Sequence, residues 1–240
     1  MSLFTISDLH LSTHEQTNKS MEIFGKRWES YVQRLEKNWR AVVTEKDTVV
    51  IPGDISWAID LNEALSDLKF IDALPGKKIL GKGNHDFWWA TMSKHRAFLE
   101  KHGIRSISFL FNNFHETEEH LITGTRGWYL EADAMKNVTP VDFDKIIARE
   151  VGRLKMSLDA AKARQTEVPE KEILTFLHFP PYWNEKCTPG IYDLLKEYSV
   201  KDIYFGHIHN TYNLPPITTV DGMRFHLISA DYLDFLPKII

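Results

Sequence analysis

Cysteine is nearly absent from this chain: Cys187 is the single one among 240 residues. No disulfide can close within the chain, and a thiolate cluster cannot hold a metal. Long apolar runs are missing too, since no window approaches the roughly 18 residues of a membrane span. Met1-Ser2-Leu3-Phe4-Thr5-Ile6 has no basic stretch leading into an apolar one, so no signal peptide is expected. The expectation is a soluble, cytoplasmic protein without a membrane partner. Charge of one sign is also scarce. A formal net charge of -4 with no block of like charges argues against a grip on long nucleic acid. Repeats, low-complexity tracts and linkers are lacking, which predicts a single domain over 1–240.

What the chain does contain is enough apolar material for a sizeable core, 43% hydrophobic and 12% aromatic residues. Short buried strands are expected over 3–6, 47–51, 77–80, 172–177 and 202–205, with further strands over 104–111, 119–123 and 224–229. Apolar spacing predicts a helix from Trp28 to Val43. A second helix starts at an Asp60 cap with Glu63 in the reciprocal position, and stops at Pro75-Gly76. A third spans 91–102 and a short one 189–198. The longest opens at Thr139-Pro140 and buries Ile147, Val151, Leu154, Leu158 and Ala161, its charged faces being read as solvated. Residues 11–20 read as a polar loop.

Several strands end in a residue able to bind a cation: Asp8, Asp54, Asn84, His178 and His207. His10 and His209 each lie two positions beyond one of these. Asp8 and His10 share a direction if the backbone stays extended. Any one of the seven is more often a turn residue or a packed histidine. In open α/β sheets, however, the carboxyl ends of neighbouring strands share one edge, where ligands bind. Seven nitrogen and oxygen donors exceed the needs of one ion with an open position; they fit two ions sharing a carboxylate.

Asp8-Leu9-His10, Gly53-Asp54, Gly83-Asn84-His85-Asp86, His178 and Gly206-His207-Ile208-His209, in that order, resemble the signature of the calcineurin-like metallophosphoesterases. The resemblance spans nearly the whole chain. It implies an α/β fold, a two-sheet β-sandwich flanked by helices. It implies that Asp8, His10, Asp54 and His209 hold one metal and Asp54, Asn84, His178 and His207 the other, with Asp54 bridging. His85 resembles the catalytic histidine and Asp86 its orienting partner.

The expected chemistry is hydrolysis of a small phosphomonoester or phosphodiester by metal-activated hydroxide. The cofactors would be two transition metal ions, with manganese first and iron, zinc, nickel or cobalt also suited. The substrate would be a small phosphorylated molecule, with a nucleotide or aryl group among the options. Trp57, Trp88, Trp89, Trp128, Tyr182 and Trp183 adjoin the motifs; most read as core, with one or two free to line a pocket. A nuclease or cyclic-nucleotide phosphodiesterase is the second reading, and a non-catalytic scaffold the third. The arginine that follows the Gly-Asp motif in protein phosphatases of this group is absent from Ser56-Trp57-Ala58-Ile59-Asp60. Arg126, on the loop Gly124-Thr125-Arg126-Gly127-Trp128, is the replacement phosphate clamp, unless it forms a loop-stabilising ion pair.

Overall fold

The computed structural model describes residues 1–14, 19–130 and 139–240. The loop expected over 11–20 therefore falls in part (15–18) outside the described residues. β1 (Leu3–Thr5) leads through two short 3-10 turns (Met21–Phe24 and Lys26–Trp28) into α1 (Tyr31–Val42). The chain then alternates β2 (Thr48–Ile51), α2 (Leu65–Asp72), β3 (Lys77–Leu80), α3 (Met92–Lys101) and β4 (Ile107–Phe109). After these come β5 (His115–Glu116), β6 (His120–Thr125), α4 (Pro140–Gln165), β7 (Glu172–Leu177), β8 (Tyr182–Trp183) and β9 (Lys186–Cys187). The last elements are α5 (Ile191–Glu197), β10 (Asp202–Phe205), β11 (Ile217–Val220), β12 (Met223–Leu227) and β13 (Lys238–Ile239).

Two sheets form the centre of the molecule. The first has the order β13-β1-β2-β3-β4, with β1 to β4 parallel and β13 antiparallel at the edge. The second runs β11-β12-β10-β7-β6-β5, parallel from β12 to β6 with an antiparallel strand at either end. Parallel strands with crossover helices are buried on both faces, which explains their unbroken apolar runs. Along β2, Val50 points between the sheets, where it meets Ile79, Phe176 and Tyr204. Val49 and Ile51 point the other way, onto Leu35, Trp39 and Leu68 of the covering helices. On the second sheet Ile173, Leu177, Ile203 and Phe205 pack against Leu154, Leu158, Leu194 and Leu195 of α4 and α5. The sandwich flanked by helices agrees with the expected fold class.

Local chemistry places the element ends. Thr139 caps α4 by accepting from the Asp142 N–H at 3.2 Å, with Pro140 in the first turn. Asp60 accepts from the Asn62 and Glu63 N–H groups and Glu63 accepts from Ile59, but these bonds hold a turn, and α2 itself begins at Leu65. The strand expected over 104–111 is only Ile107–Phe109. There the chain leaves the first sheet, so β4 and β6 lie in different sheets. The charged side of α4 is not wholly solvated either: Glu150 is fully buried.

Candidate metal centre

The exits of β1, β2 and β3 lie side by side, as do those of β7 and β10, because each set is parallel and in register. The loops leaving β1 and β2 are zipped together by Asp8 N–H to Gly53 O (3.0 Å) and His10 N–H to Asp54 O (2.9 Å). The chain turns sharply here. Asp8, His10, Asp54 and His207 all adopt left-handed backbone, with φ of 60°, 46°, 50° and 68°. Asp8 and His10 therefore meet through a turn and not through an extended segment. Such conformations cost on the order of 1 kcal/mol or more for each non-glycine residue, and they cluster where function fixes the backbone. Two glycines make room for the donors. A Cβ on Gly83 would strike the Asp54 carboxylate, and one on Gly206 would strike the side chains of Asp8 and Ser7.

All seven expected donors converge. Asp54 Oδ2 lies 3.6 Å from His10 Nε2 and 3.5 Å from His178 Nε2, between the two halves of the cluster. Asn84 Oδ1 faces His178 Nε2 at 2.8 Å and His207 Nδ1 at 3.0 Å. His209 Nε2 stands 3.3 Å from His10 Nε2 and 3.5 Å from Asp8 Oδ1. Two overlapping triplets, Asp8–His10–His209 and Asp8–Asp54–His178, each bring their donor atoms within 4.8 Å of one another. This is a donor set for cations: buried carboxylate oxygens, an amide oxygen and ring nitrogens directed at common points. The Nδ1 atoms of His10 and His178 are buried and make no hydrogen bond.

For His10, His178 and His207 the electrostatics agree with that fit. Burial lowers the pKa of His10 to about 3 and that of His207 to about 4, and drives His178 well below the usual histidine range. These rings stay neutral, the form that ligates metal. Burial, then the nearby Asp8 and Asp86, raises Asp54 well above the ordinary carboxylate range. Burial would raise Asp8 too, but the His209 hydrogen bond and the charge of that ring hold it low. His209 differs from the other rings: against burial, Asp231 and Asp8 raise it to about 10.

Asp231 is the site residue that the motifs do not reveal. Its Oδ1 lies 2.7 Å from His209 Nδ1, and its Oδ2 accepts from Asn210 N–H and Tyr212 OH. A carboxylate behind a ligating histidine fixes the ring and strengthens it as a donor. Asp231 sits beyond β12 in a stretch without a motif, so only the fold brings it to His209. Trp57 stacks on His10 with ring centres 4.9 Å apart and touches His85 at 4.3 Å.

His85 is half-buried at the mouth of the centre, its backbone N–H donating to Asp54 Oδ1 at 2.8 Å. Asp86 departs from its expected role. Its carboxylate accepts from the N–H groups of Gly83, Ile55 and Ser56 and from Trp88 Nε1, at 2.7 to 3.2 Å. Those bonds tie the β2 and β3 exit loops together and leave the His85 ring to its aromatic neighbours. Arg126 departs too. It pairs with Glu150 at 3.4 Å and lies over Trp128 at 4.2 Å, which makes the ion pair its observed interaction. Its carbonyl accepts from the His178 and Phe179 N–H groups, so the Arg126 loop supports a donor strand. Lys82, two residues beyond β3, is half-buried and lines a recess together with Arg126. His95 is fully buried between Trp88, Trp89 and Phe109, away from the centre.

Comparisons with known proteins agree with this geometry. No curated protein matches the chain significantly. Among solved structures, phosphopantetheinyl hydrolase from Mycobacterium tuberculosis is similar in fold, with a TM-score of 0.56 at 15% identity over 100% of this chain and 95% of that one. TT1561 of Thermus thermophilus also gives a TM-score of 0.56, at 9% identity over 99% of this chain and 97% of that one. Identities this low speak to the fold alone. The family model described as calcineurin-like phosphoesterase matches residues 1–211, which takes in all seven donors and His85. The chain belongs to the calcineurin-like phosphoesterase family and is a metal-dependent hydrolase of phosphoesters.

Proposed function

We propose that the protein hydrolyses a small organic phosphoester at a dinuclear centre. Asp8, His10, Asp54 and His209 would hold one ion, and Asp54, Asn84, His178 and His207 the other. The observation that carries this reading is the position of Asp54 Oδ2, nearly equidistant from His10 Nε2 and His178 Nε2. A carboxylate shared by two ions needs such a placement. The donor set suits manganese first, with iron, zinc, nickel and cobalt as alternatives. When bound, the ions supply Lewis acidity, generating a nucleophile from water near neutral pH and neutralising charge on the phosphoryl oxygens.

The chain's own residues do the rest. Asp231 holds His209 in its ligating orientation, and Asp86 sets the backbone that carries Asp54 and Asn84. His85, beside the centre, exchanges a proton with a substrate oxygen as the ester bond breaks. The organic part of the substrate has a place to lie. A cavity of about 380 Å³ is lined by Tyr129, Phe179, Trp183 and Ile208, and shares the ligand His207 with the centre. Phe179 and His207 are 4.3 Å apart, ring to ring. An aromatic wall of this kind accepts a flat or apolar group.

The test uses the manganese-loaded protein with nitrophenyl phosphate and bis-nitrophenyl phosphate, which separates monoester from diester hydrolysis. In His85→Ala, turnover should fall by about 10²- to 10⁴-fold while elemental analysis finds unchanged metal. A parallel loss of metal would place His85 among the ligands instead. Absence of turnover on both esters with metal fully bound would favour a scaffold.

A further inference from the structure

A second cavity, of about 210 Å³, opens beside the exit of β3, between β6 and α4. Its lining carries Lys82, Arg126 and Arg153 against one carboxylate, Glu150. Glu150 is already committed. Its Oε1 receives both Arg153 and Arg126, and its Oε2 accepts from the Thr125 hydroxyl at 2.7 Å. Asp86, the other carboxylate facing Lys82, is committed to three backbone N–H groups and the Trp88 indole. Among the described residues, three cations thus line the recess with one carboxylate of its own, Glu150, to match them.

The guanidinium planes are also held. Arg126 lies over Trp128 at 4.2 Å and Arg153 over Phe111 at 5.7 Å. Guanidinium groups placed over rings keep N–H groups for planar or tetrahedral oxyanions, the groups that guanidinium recognises best. Arg126 Nε is buried and makes no hydrogen bond among the described residues.

We propose that this recess, built from Lys82, Arg126 and Arg153 around the buried Glu150, binds an oxyanion separate from the phosphoryl group at the metal centre. The ligand is a phosphate or carboxylate group, supplied either by a second anionic group on the substrate or by free phosphate. The first source rests on the phosphoesterase reading; anion binding itself does not. The recess shares its backbone with the centre. Lys82 directly precedes Gly83 and Asn84, and the Arg126 carbonyl accepts from His178 N–H at 3.1 Å. Arg126 thereby serves anion recognition next to the reacting centre and not at it.

Crystals of the manganese-loaded protein soaked in tungstate should show an anomalous peak within hydrogen-bond distance of Arg126 and Arg153. A peak at the metal centre alone overturns the proposal. In solution, inorganic phosphate titrated into the loaded protein should occupy a site that Arg153→Ala weakens about tenfold or more, by analogy with losing a charge-assisted contact. Arg153→Lys, which keeps the charge and guards against a folding defect, should retain part of the affinity. Titrations identical in wild type and both variants overturn the assignment. A nitrophenyl phosphate bearing a ring carboxylate separates the sources. A KM raised in Arg153→Ala for that ester only, with kcat unchanged, names the substrate; unchanged KM with weakened phosphate binding names free phosphate. If no ester turns over, the phosphoesterase reading fails while the titration still decides whether the recess binds anions.

Discussion

The two sheets contribute unlike chemistry to the same centre. Donors from the first are Asp8, His10, Asp54 and Asn84, and both carboxylates are among them; donors from the second are His178, His207 and His209, all imidazoles. The first sheet thus brings the negative charge, buried where Asp8 and Asp54 disfavour one another. The second brings rings that burial keeps neutral at His178 and His207. Neither half makes a complete site. A cation recognised by this centre is recognised by the docked sandwich, so metal affinity and packing between the sheets are linked quantities.

The sharpest way to break the comparison is at the shared carboxylate. Asp54→Asn keeps the shape and removes the charge; elemental analysis should find metal falling from about two ions per chain to about one or fewer, with activity lost. Retention of both ions would mean that the imidazoles of the second sheet suffice. Next in size is Asp86→Ala, which leaves three backbone N–H groups and an indole N–H without their buried acceptor. Chemical denaturation should report a loss of about 3–5 kcal/mol. A stable Asp86→Ala protein with an altered pH–rate profile would restore the carboxylate as partner of His85.

On the second sheet, Asp231→Ala frees the His209 ring and should weaken metal binding by about 10- to 100-fold, read by competition with a chromogenic chelator. A further effect lies behind the first sheet. Burial pushes the pKa of His95 from 6.5 in the unfolded chain down to about 4. Between those values the unfolded chain binds more protons, so this contribution is present above pH 6.5 and lost as pH falls toward 4. His95→Gln removes that titration, so the stability advantage of the wild type over the variant should shrink as pH falls from 6.5 to 4. Parallel curves for both would assign the acid sensitivity to the centre alone.

The floor of the site is legible in the sequence because its chemistry is local. Asp8, Asp54, Asn84, His178 and His207 follow buried strands directly, and parallel strands must end together. What stays hidden depends on contacts across the fold. Asp231 reaches His209 from beyond β12, and no spacing connects the two. Asp86 stands next to His85 in sequence, yet its carboxylate turns inward to the N–H groups of neighbouring loops. Glu150 sits on a charged helix face that reads as solvated, while Thr125, Arg126 and Arg153 draw it inside. The hairpin of β8 and β9 escapes a reading by turn residues because Asn184 and Glu185 make its turn with positive φ and no glycine.

The tight approach of Gly83 to Asp54, and of Gly206 to Asp8, leaves no space for even a methyl group beneath the donors. Change in selectivity is thereby confined to the walls. A randomised library aimed at new specificities belongs at Tyr129, Trp183, Asn184 and Ile208, where side chains border open volume, and variation at the two glycines would mostly yield inactive clones.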